Sequence, residues 1–251
     1  PLHDALPILK TAAAGGLFQK FAFDGLGRTV ARYTSFDTDE TAYADADDVT
    51  GDTVIEQTRT WHNPAGQTVA TATYQRLPDD TSTTGELTAA NSYATATVIW
   101  YDGLGRTVAT ADYGREDVDS DLAHYFFSGA TGALIDVNAN GIPDAAEAAP
   151  PEPYPQDPNS LAGIDFQLRL TEYDLAGRAY RTIDSLGRIY ETQFDDAGRT
   201  VRTIQNYVNG TVAETDTDCD LTVAYQYDSG GRLVTLTAYN AKGSGNGVQA
   251  Q

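Results

Sequence analysis

One stretch of the sequence has the residue types and spacing of a calcium-binding loop. Within residues 136–147, oxygen-bearing side chains stand at positions 1, 3, 5, 9 and 12, and a glycine stands at position 6. In EF-hand-type loops this spacing wraps alternating oxygens around a hard cation, and the glycine makes the sharp bend. The predicted Ca²⁺ ligands, with Ile142 contributing its backbone carbonyl, are Asp136, Asn138, Asn140, Ile142, Asp144 and Glu147.

The surroundings of this loop indicate what kind of calcium site it would be. Glu147 is expected to close the site from a short helix over residues 143–149, with proline at its start. No long amphipathic helix precedes the loop, so it resembles an isolated calcium loop of secreted bacterial proteins rather than a paired EF-hand domain. Only three ligand side chains are acidic, which indicates modest affinity and a structural role. The alternative interpretation is an Asn/Asp/Gly turn that binds no metal.

Residues suited to catalysis are few, and the sequence predicts no enzyme. A serine or cysteine nucleophile needs a histidine base beside it. The sequence contains no catalytic motif that would bring a nucleophile and a histidine together. Cys219 stands between Asp218 and Asp220, whose charges disfavour a thiolate, so a structural thiol is expected. Carboxylate pairs are uninformative in a chain with 36 acidic residues. The available histidines are His3, His62 and His124.

Composition excludes several classes of partner. The 251 residues include 16 Lys and Arg against 36 Asp and Glu, a net charge of −20. Such a chain lacks the basic patch that nucleic acid or an anionic membrane surface requires. No run approaches the ~18 apolar residues of a membrane span. The single cysteine rules out a disulfide within the chain, and 41% hydrophobic residues suffice for a core.

A short motif recurs along the chain, with an aromatic residue followed by Asp-x-x-Gly-Arg. Six copies keep Asp-x-x-Gly-Arg, one of them with Ile183 in place of the aromatic residue, and one degenerate copy lies at residues 62–67. Asp at the first turn position accepts a hydrogen bond from the amide two residues on, and Gly supplies the positive φ that closes a hairpin. The motif residues are Asp24, Gly27, Arg28, Asp102, Gly105, Arg106, Asp174, Gly177, Arg178, Asp184, Gly187, Arg188, Asp195, Gly198, Arg199, Asp228, Gly231 and Arg232.

The stretches on both sides of each motif alternate and are rich in Thr, Val, Tyr and Ile, which is typical of β-strands. The predicted fold is therefore all-β, with consecutive antiparallel β-hairpins forming a curved sheet or a partial barrel-like shell. Each motif arginine is expected to bridge the aspartate and the aromatic ring of its own or an adjacent hairpin. A guanidinium can stack on an aromatic ring and also bind a carboxylate through two N–H groups. The alternative is a row of arginines that recognises an anionic ligand.

The motif resembles the YD repeat of the RHS family over most of residues 17–113 and 165–240. The resemblance implies an antiparallel β-ribbon that spirals into a hollow shell, which in the toxins of that family encloses a C-terminal effector domain. It also implies a secreted or cell-surface location, with neighbouring repeats and domains of the parent polypeptide as partners. Enclosing a cargo is thus expected of the parent protein, of which this chain would be a scaffold segment.

The predicted organisation has five parts: a non-repeat or junction segment (1–16), repeats (17–113), an insertion with the calcium loop and a proline-rich stretch (114–164), repeats (165–240) and a tail (241–251). The absence of methionine indicates a piece of a longer protein. A carbohydrate-binding adhesion module is the competing functional hypothesis. Trp61, Trp100 and the 15 tyrosines could stack on sugar rings, although alternating aromatics in hairpins are more often core.

Overall fold

The computed structural model describes residues 11–12, 17–36, 48–81, 83–88, 91–116, 142–150, 166–208 and 219–239. The chain divides into two compact units. The first holds the described residues up to Trp100 and those from Thr110 to Pro150. It also holds Phe166 and Gln167 at the start of a later strand. The second holds the hairpin tip Tyr101–Ala109 and the described residues from Leu168 onward.

Thirteen strands and one short helix make up the described secondary structure. In chain order they are β1 (Thr11–Ala12), β2 (Leu17–Phe23), β3 (Thr29–Phe36), β4 (Thr53–His62), β5 (Thr68–Arg76), β6 (Ser92–Tyr101), β7 (Thr107–Glu116), α1 (Asp144–Glu147), β8 (Phe166–Tyr173), β9 (Ala179–Asp184), β10 (Ile189–Phe194), β11 (Thr200–Gln205), β12 (Leu221–Tyr227) and β13 (Leu233–Tyr239).

Strand order follows sequence order within each unit, so strands that are neighbours in the sheet are also neighbours in the chain. The pairs with a described register are antiparallel, and the register shifts at the residue before several motif turns, as between Ala22 and Phe23. The prediction of an all-β chain built from consecutive antiparallel hairpins is confirmed. Burial alternates along the strands of the first unit: in β6 every second residue from Ser92 to Trp100 is buried.

The core of the first unit lies on one face of the sheet, under two loop segments. Residues 48–52 and 83–88 fold over this face, and their contact includes a hydrogen bond from the Gly85 amide to the Asp52 carbonyl (2.9 Å). Val49 and Leu87 are buried beneath these segments. The Leu87 amide also donates to Oε1 of the buried Gln57 (2.7 Å), which ties the second loop to β4.

The second unit buries fewer apolar side chains and relies more on cross-strand polar pairs. Among the described residues, its buried apolar side chains are Ala109, Leu168 and Ile204. On one face, Arg181 of β9 lies between Glu172 of β8 and Glu191 of β10, at 3.3 and 2.7 Å from their carboxylate oxygens. Opposite charges at directly paired positions stabilise neighbouring strands.

The insertion contributes one short helix to the described structure. The predicted helix over 143–149 is shorter than expected, because α1 ends at Glu147 and Ala148 is extended. Pro150 and Pro151 follow closely, and a residue before proline avoids the helical region. Among the described residues, no helix has the length and apolar character needed to cross a bilayer.

Candidate functional site

The motif turn uses both oxygens of its aspartate. In the turn between β8 and β9, Asp174 Oδ1 accepts hydrogen bonds from the backbone amides of Ala176 and Arg178 (2.9 Å each). Asp174 Oδ2 accepts from Arg178 Nε and pairs with its Nη2 (2.7 Å each). The Gly177 amide closes the turn on the Asp174 carbonyl at 2.9 Å, with φ at +81°. One carboxylate therefore fixes the backbone of the turn and the direction of the arginine.

The same geometry recurs in every copy of the motif. The motif glycines have φ between 72° and 84°, where a side chain would be strained. The degenerate copy keeps the turn with neutral side chains: Asn63 Oδ1 accepts from the Gln67 amide, and Asn63 Nδ2 donates to Gln67 Oε1, both at 3.0 Å. The turn thus forms with a side-chain oxygen acceptor at its first position and a glycine at its fourth. The Asp–Arg ion pair is not required for this backbone conformation.

Four of the charged turns lie at the same end of the strands of the second unit. We call this row the arginine ladder, and its turns are residues 102–106, 174–178, 195–199 and 228–232. Each of the first three arginines stacks on the aromatic ring of the next turn in the row. The guanidinium carbon lies 4.2 Å from the Tyr173 ring centre for Arg106, 4.4 Å from Phe194 for Arg178 and 4.7 Å from Tyr227 for Arg199. These distances are within cation–π range.

Two further contacts join successive turns of the ladder. A β-carbon placed on Gly198 would lie 3.5 Å from Arg178 Nη1, so the missing side chain lets the guanidinium approach; the corresponding distance at Gly177 is 3.4 Å. Where the ring belongs to tyrosine, its hydroxyl donates to the carbonyl of the residue after the preceding arginine. Tyr173 donates to Thr107 and Tyr227 to Thr200, each at 2.8 Å.

Within the second unit, one copy of the motif lies outside the ladder. The turn of Asp184 and Arg188 joins β9 to β10. Because the strands are antiparallel, it lies at the other end of the strands from the ladder turns before and after it. Arg188 makes the same pair with Asp184 (2.7 Å) but no ring contact within the described residues. Its side chain is 48% exposed, against 35% for Arg178. The sequence motif alone does not separate these two situations.

The first unit contains a weaker version of the same contact. A β-carbon on Gly66 would lie 3.5 Å from Arg28 Nη1. His62 takes the position of the aromatic ring, and its pKa is lowered first by burial and then by the charge of Arg28. A neutral imidazole is therefore favoured beside this guanidinium.

Three of the motif aspartates, Asp102, Asp195 and Asp228, have a lowered pKa and are held in the ionised form. Hydrogen bonds from the backbone amide and then from the guanidinium of Arg199 lower the pKa of Asp195, and the same two causes in the same order lower the pKa of Asp102 and Asp228. A carboxyl whose pKa is lower in the folded than in the unfolded state stabilises the fold above the unfolded value near 4. That contribution is lost as the pH falls through the folded-state pKa.

This linkage predicts acid sensitivity that depends on the motif. Between about pH 5 and pH 3, the free energy of unfolding should fall more in the wild type than in Asp195→Asn, because asparagine keeps the acceptor, as Asn63 does, and does not titrate. Urea titrations followed by circular dichroism at both pH values measure the difference. Equal losses in the two proteins would contradict the role given to this carboxylate.

The ring contact predicts unequal effects for two arginines that share the same turn. Arg178→Gln should lower the free energy of unfolding by about 1 kcal/mol, because it removes the stacking on Phe194 as well as the pair with Asp174. Arg188→Gln removes only an exposed ion pair and should cost less than about 0.5 kcal/mol. Urea unfolding of both variants makes the comparison, and losses of the same size would exclude a contribution from stacking.

The structure also reveals a buried ion pair that sequence reasoning missed. Lys20 of β2 is fully buried, with Nζ 3.0 and 2.9 Å from the two oxygens of Asp52 and 2.7 Å from the Asp48 carbonyl. The signal was present in the sequence, because Lys20 shares the face of Phe18 in an alternating strand. The pair connects β2 to the loop that covers the core.

Of the predicted calcium ligands, Asp136, Asn138 and Asn140 lie outside the described residues. Ile142 and Asp144 are half-buried, and Glu147 is exposed at the end of α1. Just beyond the helix, the Ala148 carbonyl accepts a hydrogen bond from Trp100 Nε1 of β6 at 2.7 Å. In the part of the chain that is described, no group of three or more acidic, histidine or cysteine side chains is placed to hold a metal ion.

The aromatic residues divide between core and surface. Trp100 is only 8% exposed, and Tyr33, Tyr74 and Tyr113 are also buried, so these rings form core rather than sugar platforms. Trp61 is half-buried. The Cys219 thiol is half-buried as well and lies 3.8 Å from the side-chain nitrogen of Asn206.

Comparison with protein-family models and with curated proteins finds no match. Among solved structures, the chain is similar to one in the crystal structure of TcdB2-TccC3-Cdc42, with 15% identity and a TM-score of 0.30 over 92% of this chain and 11% of that chain. It is also similar to one in the Photorhabdus luminescens Tc holotoxin pore, with 11% identity and a TM-score of 0.19 over 92% of this chain and 12% of that chain. The chain thus spans little more than a tenth of these proteins, and its fold class is established by its own strand pairing.

Proposed function

We propose that this chain is a structural scaffold segment of a larger secreted or cell-surface protein of the RHS type, forming part of a shell around a C-terminal toxin domain. The observation that supports it is the double use of the ladder arginines. Arg106, Arg178 and Arg199 each hold the aspartate of their own turn and cover the ring of the next. Their charge and planar faces are thus engaged inside the array, which favours a turn-to-turn clamp over anion recognition.

The same arrangement gives no support to an enzyme. Catalytic groups need perturbed pKa values near the working pH together with a substrate-sized recess. The pKa values of Asp102 and Asp195 are shifted further into the acid range, and the pKa of the Tyr33 hydroxyl is raised by burial and by the neighbouring Glu86. These are the signatures of structural hydrogen bonds, and the proposal is a non-catalytic protein.

Protease protection in the parent polypeptide tests the scaffold. The double variant Arg178→Gln/Arg199→Gln removes two ladder contacts, and we expect the region downstream of the repeats to be cut faster by a non-specific protease. Arg188→Gln serves as the matched control, because it lies outside the ladder, and should leave the cleavage rate unchanged. A downstream region that is cut at the same rate in the wild type and in the double variant would contradict enclosure by this segment.

Calcium is part of the proposal as a structural ion in the insertion. The hydrogen bond from Trp100 to Ala148 anchors the residue that follows the predicted loop on the sheet of the first unit. The C-terminal end of a cation site at residues 136–147 would therefore be held in place. Two carboxylates of the ligand set, Asp144 and Glu147, belong to α1 and lie just before that anchor. A modest-affinity site of this kind suits the millimolar calcium of extracellular fluids.

Removal of calcium is therefore expected to lower the melting temperature of the wild-type chain. The variant Asp136→Ala should melt at the lower temperature with or without EGTA, because the first ligand of the loop is absent. Thermal melts in about 1 mM calcium and in excess EGTA measure the shift. A wild type that melts at the same temperature in both buffers excludes the site.

A carbohydrate-binding adhesion module remains the alternative from a different class, and its test is separate. Glycan-array binding by the wild type that disappears in Trp61→Ala would replace the scaffold by an adhesin. Trp61 is the suitable probe because it is half-buried, whereas Trp100 belongs to the core. An array without Trp61-dependent signals is the result that the scaffold predicts.

A further inference from the structure

Two of the motif turns contain an Asp-Gly bond, at residues 24–25 and 102–103. Aspartate isomerises most readily before glycine, because glycine has no side chain to hinder the reaction. The glycine nitrogen attacks the aspartate Cγ, an N–Cγ bond forms, and the carboxyl OH leaves as water together with the amide proton. Water then opens the resulting succinimide at either carbonyl. One opening returns aspartate, and the other gives isoaspartate, whose backbone is one atom longer.

The backbone of these two turns does not require the glycine. Gly25 and Gly103 both lie outside the left-handed region, and a β-carbon placed on either would meet no atom within 4 Å beyond its chain neighbours. The turn therefore accepts an Asp-Gly bond without needing it, and an unprotected copy would be a weak point of the chain. Other copies carry larger residues at this position, namely Leu175, Ser185, Asp196 and Ser229.

The carboxyl group that would be attacked is held by four donors. Asp102 Oδ1 accepts hydrogen bonds from the backbone amides of Leu104 and Arg106 (2.9 Å each). Oδ2 accepts from Arg106 Nε (2.8 Å) and pairs with Nη2 (2.6 Å). Asp24 has the corresponding four contacts at 2.6–2.9 Å. Such bonds fix the orientation of the carboxylate and favour its ionised form, whereas the attack requires the protonated acid, whose OH can leave as water.

We propose that the motif arginine protects the Asp-Gly bond of its own turn against isomerisation to isoaspartate. Without the guanidinium, Oδ2 is free to take up a proton, while the backbone amides still hold Oδ1. The pKa of Asp102 supports this role, since it is lowered first by the Arg106 amide and then by the Arg106 side chain. Protection also preserves the ladder, because an extra backbone atom in the turn would move the guanidinium away from the Tyr173 ring, whose centre is 4.2 Å away.

Ageing of the folded chain tests the proposal. Wild type and Arg106→Met are kept for weeks at mildly acidic pH, and isoaspartate at position 102 is measured by peptide mapping with mass spectrometry. The wild-type chain unfolded in urea gives the unprotected rate. We expect the variant to isomerise at least about tenfold faster than the folded wild type, which is the change in protonated fraction for one pKa unit. Asp24 in the same molecules should keep the wild-type rate, because Arg28 is intact.

Two further variants identify the cause of a faster reaction. Tyr173→Leu removes the ring beside Arg106 but keeps all four donors on Asp102, so position 102 should isomerise at the wild-type rate. Gly103→Ser, combined with Arg106→Met, introduces the residue that the chain has at positions 185 and 229. It should slow the reaction again, because a side chain hinders the attacking nitrogen.

Several results would overturn the proposal. They include an Arg106→Met variant that isomerises no faster than the wild type, and a folded wild type that isomerises as fast as the chain in urea. Equal acceleration by Tyr173→Leu would show that a loosened turn is the cause, and acceleration at both Asp24 and Asp102 would show general unfolding. None of these results bears on protease protection in the parent polypeptide, so the scaffold is tested separately.

Discussion

Replacing Lys20 with methionine is expected to lower the free energy of unfolding of the first unit by about 3–5 kcal/mol. The Asp52 side chain is 2% exposed, and the substitution removes the ammonium group at 2.9 Å from its carboxylate. A buried charge that loses its partner keeps its desolvation cost without the compensating attraction. Both tryptophans belong to this unit, so their fluorescence during urea unfolding measures the change.

Two variants separate a buried-charge effect from a general loss of packing. Lys20→Met/Asp52→Leu removes both charges and should recover much of the loss, since an apolar pair of similar volume replaces a buried ion pair at little cost. Arg32→Met breaks the exposed pair with Glu56 (2.7 Å; side chains 44% and 35% exposed) and should cost less than about 1 kcal/mol. If Lys20→Met were as mild as Arg32→Met, the buried pair would have no special weight.

Trp100→Ala is expected to destabilise the first unit by a similar amount, about 3–5 kcal/mol, because it empties a large buried volume in the sheet. The loss has a second component, since the indole N–H holds the Ala148 carbonyl at 2.7 Å and so fastens the insertion. Trp61 remains as the fluorescent reporter of urea unfolding.

Trp100→Phe isolates that second component. Phenylalanine keeps most of the apolar volume and loses the donor, so a decrease of about 1–2 kcal/mol is expected, together with faster proteolysis within residues 142–150. Mass spectrometry of the cleavage products locates the cuts. Unchanged cleavage in Trp100→Phe would show that the hydrogen bond does not fasten the insertion.

The sequence was sufficient for the fold class because its information is local. An Asx acceptor, a glycine and alternating β-branched residues determine a hairpin without reference to anything distant, and the turn of Asp174 to Arg178 has the hydrogen bonds that this chemistry requires. The helix of the insertion was overestimated for the opposite reason. Its end depends on Pro150, Pro151 and the anchoring at Ala148, and the anchor comes from a strand far away in sequence.

The partner of each arginine depended on information that the motif does not contain. Arg178 and Arg188 both end an Asp-x-x-Gly-Arg motif, but only strand order decides at which end of the strands each turn lies and therefore which ring it meets. The Lys20–Asp52 pair was equally inaccessible, because two residues separated by a loop meet only when that loop folds over the sheet. The alternation of β2 places position 20 on the same face as Phe18, and tertiary contact decides what it meets there.

The antiparallel order of the second unit has a consequence for how such a chain can diverge. The ladder turns share one length and one internal geometry, and a single added residue would move a guanidinium off its ring. The connection between Gln205 and Leu221 on the opposite side is longer than the ladder turns and does not belong to the ladder. Length changes accumulated over evolution should therefore be confined to one rim of the ribbon, where new surface loops can be acquired without loss of register, while the other rim keeps a fixed period.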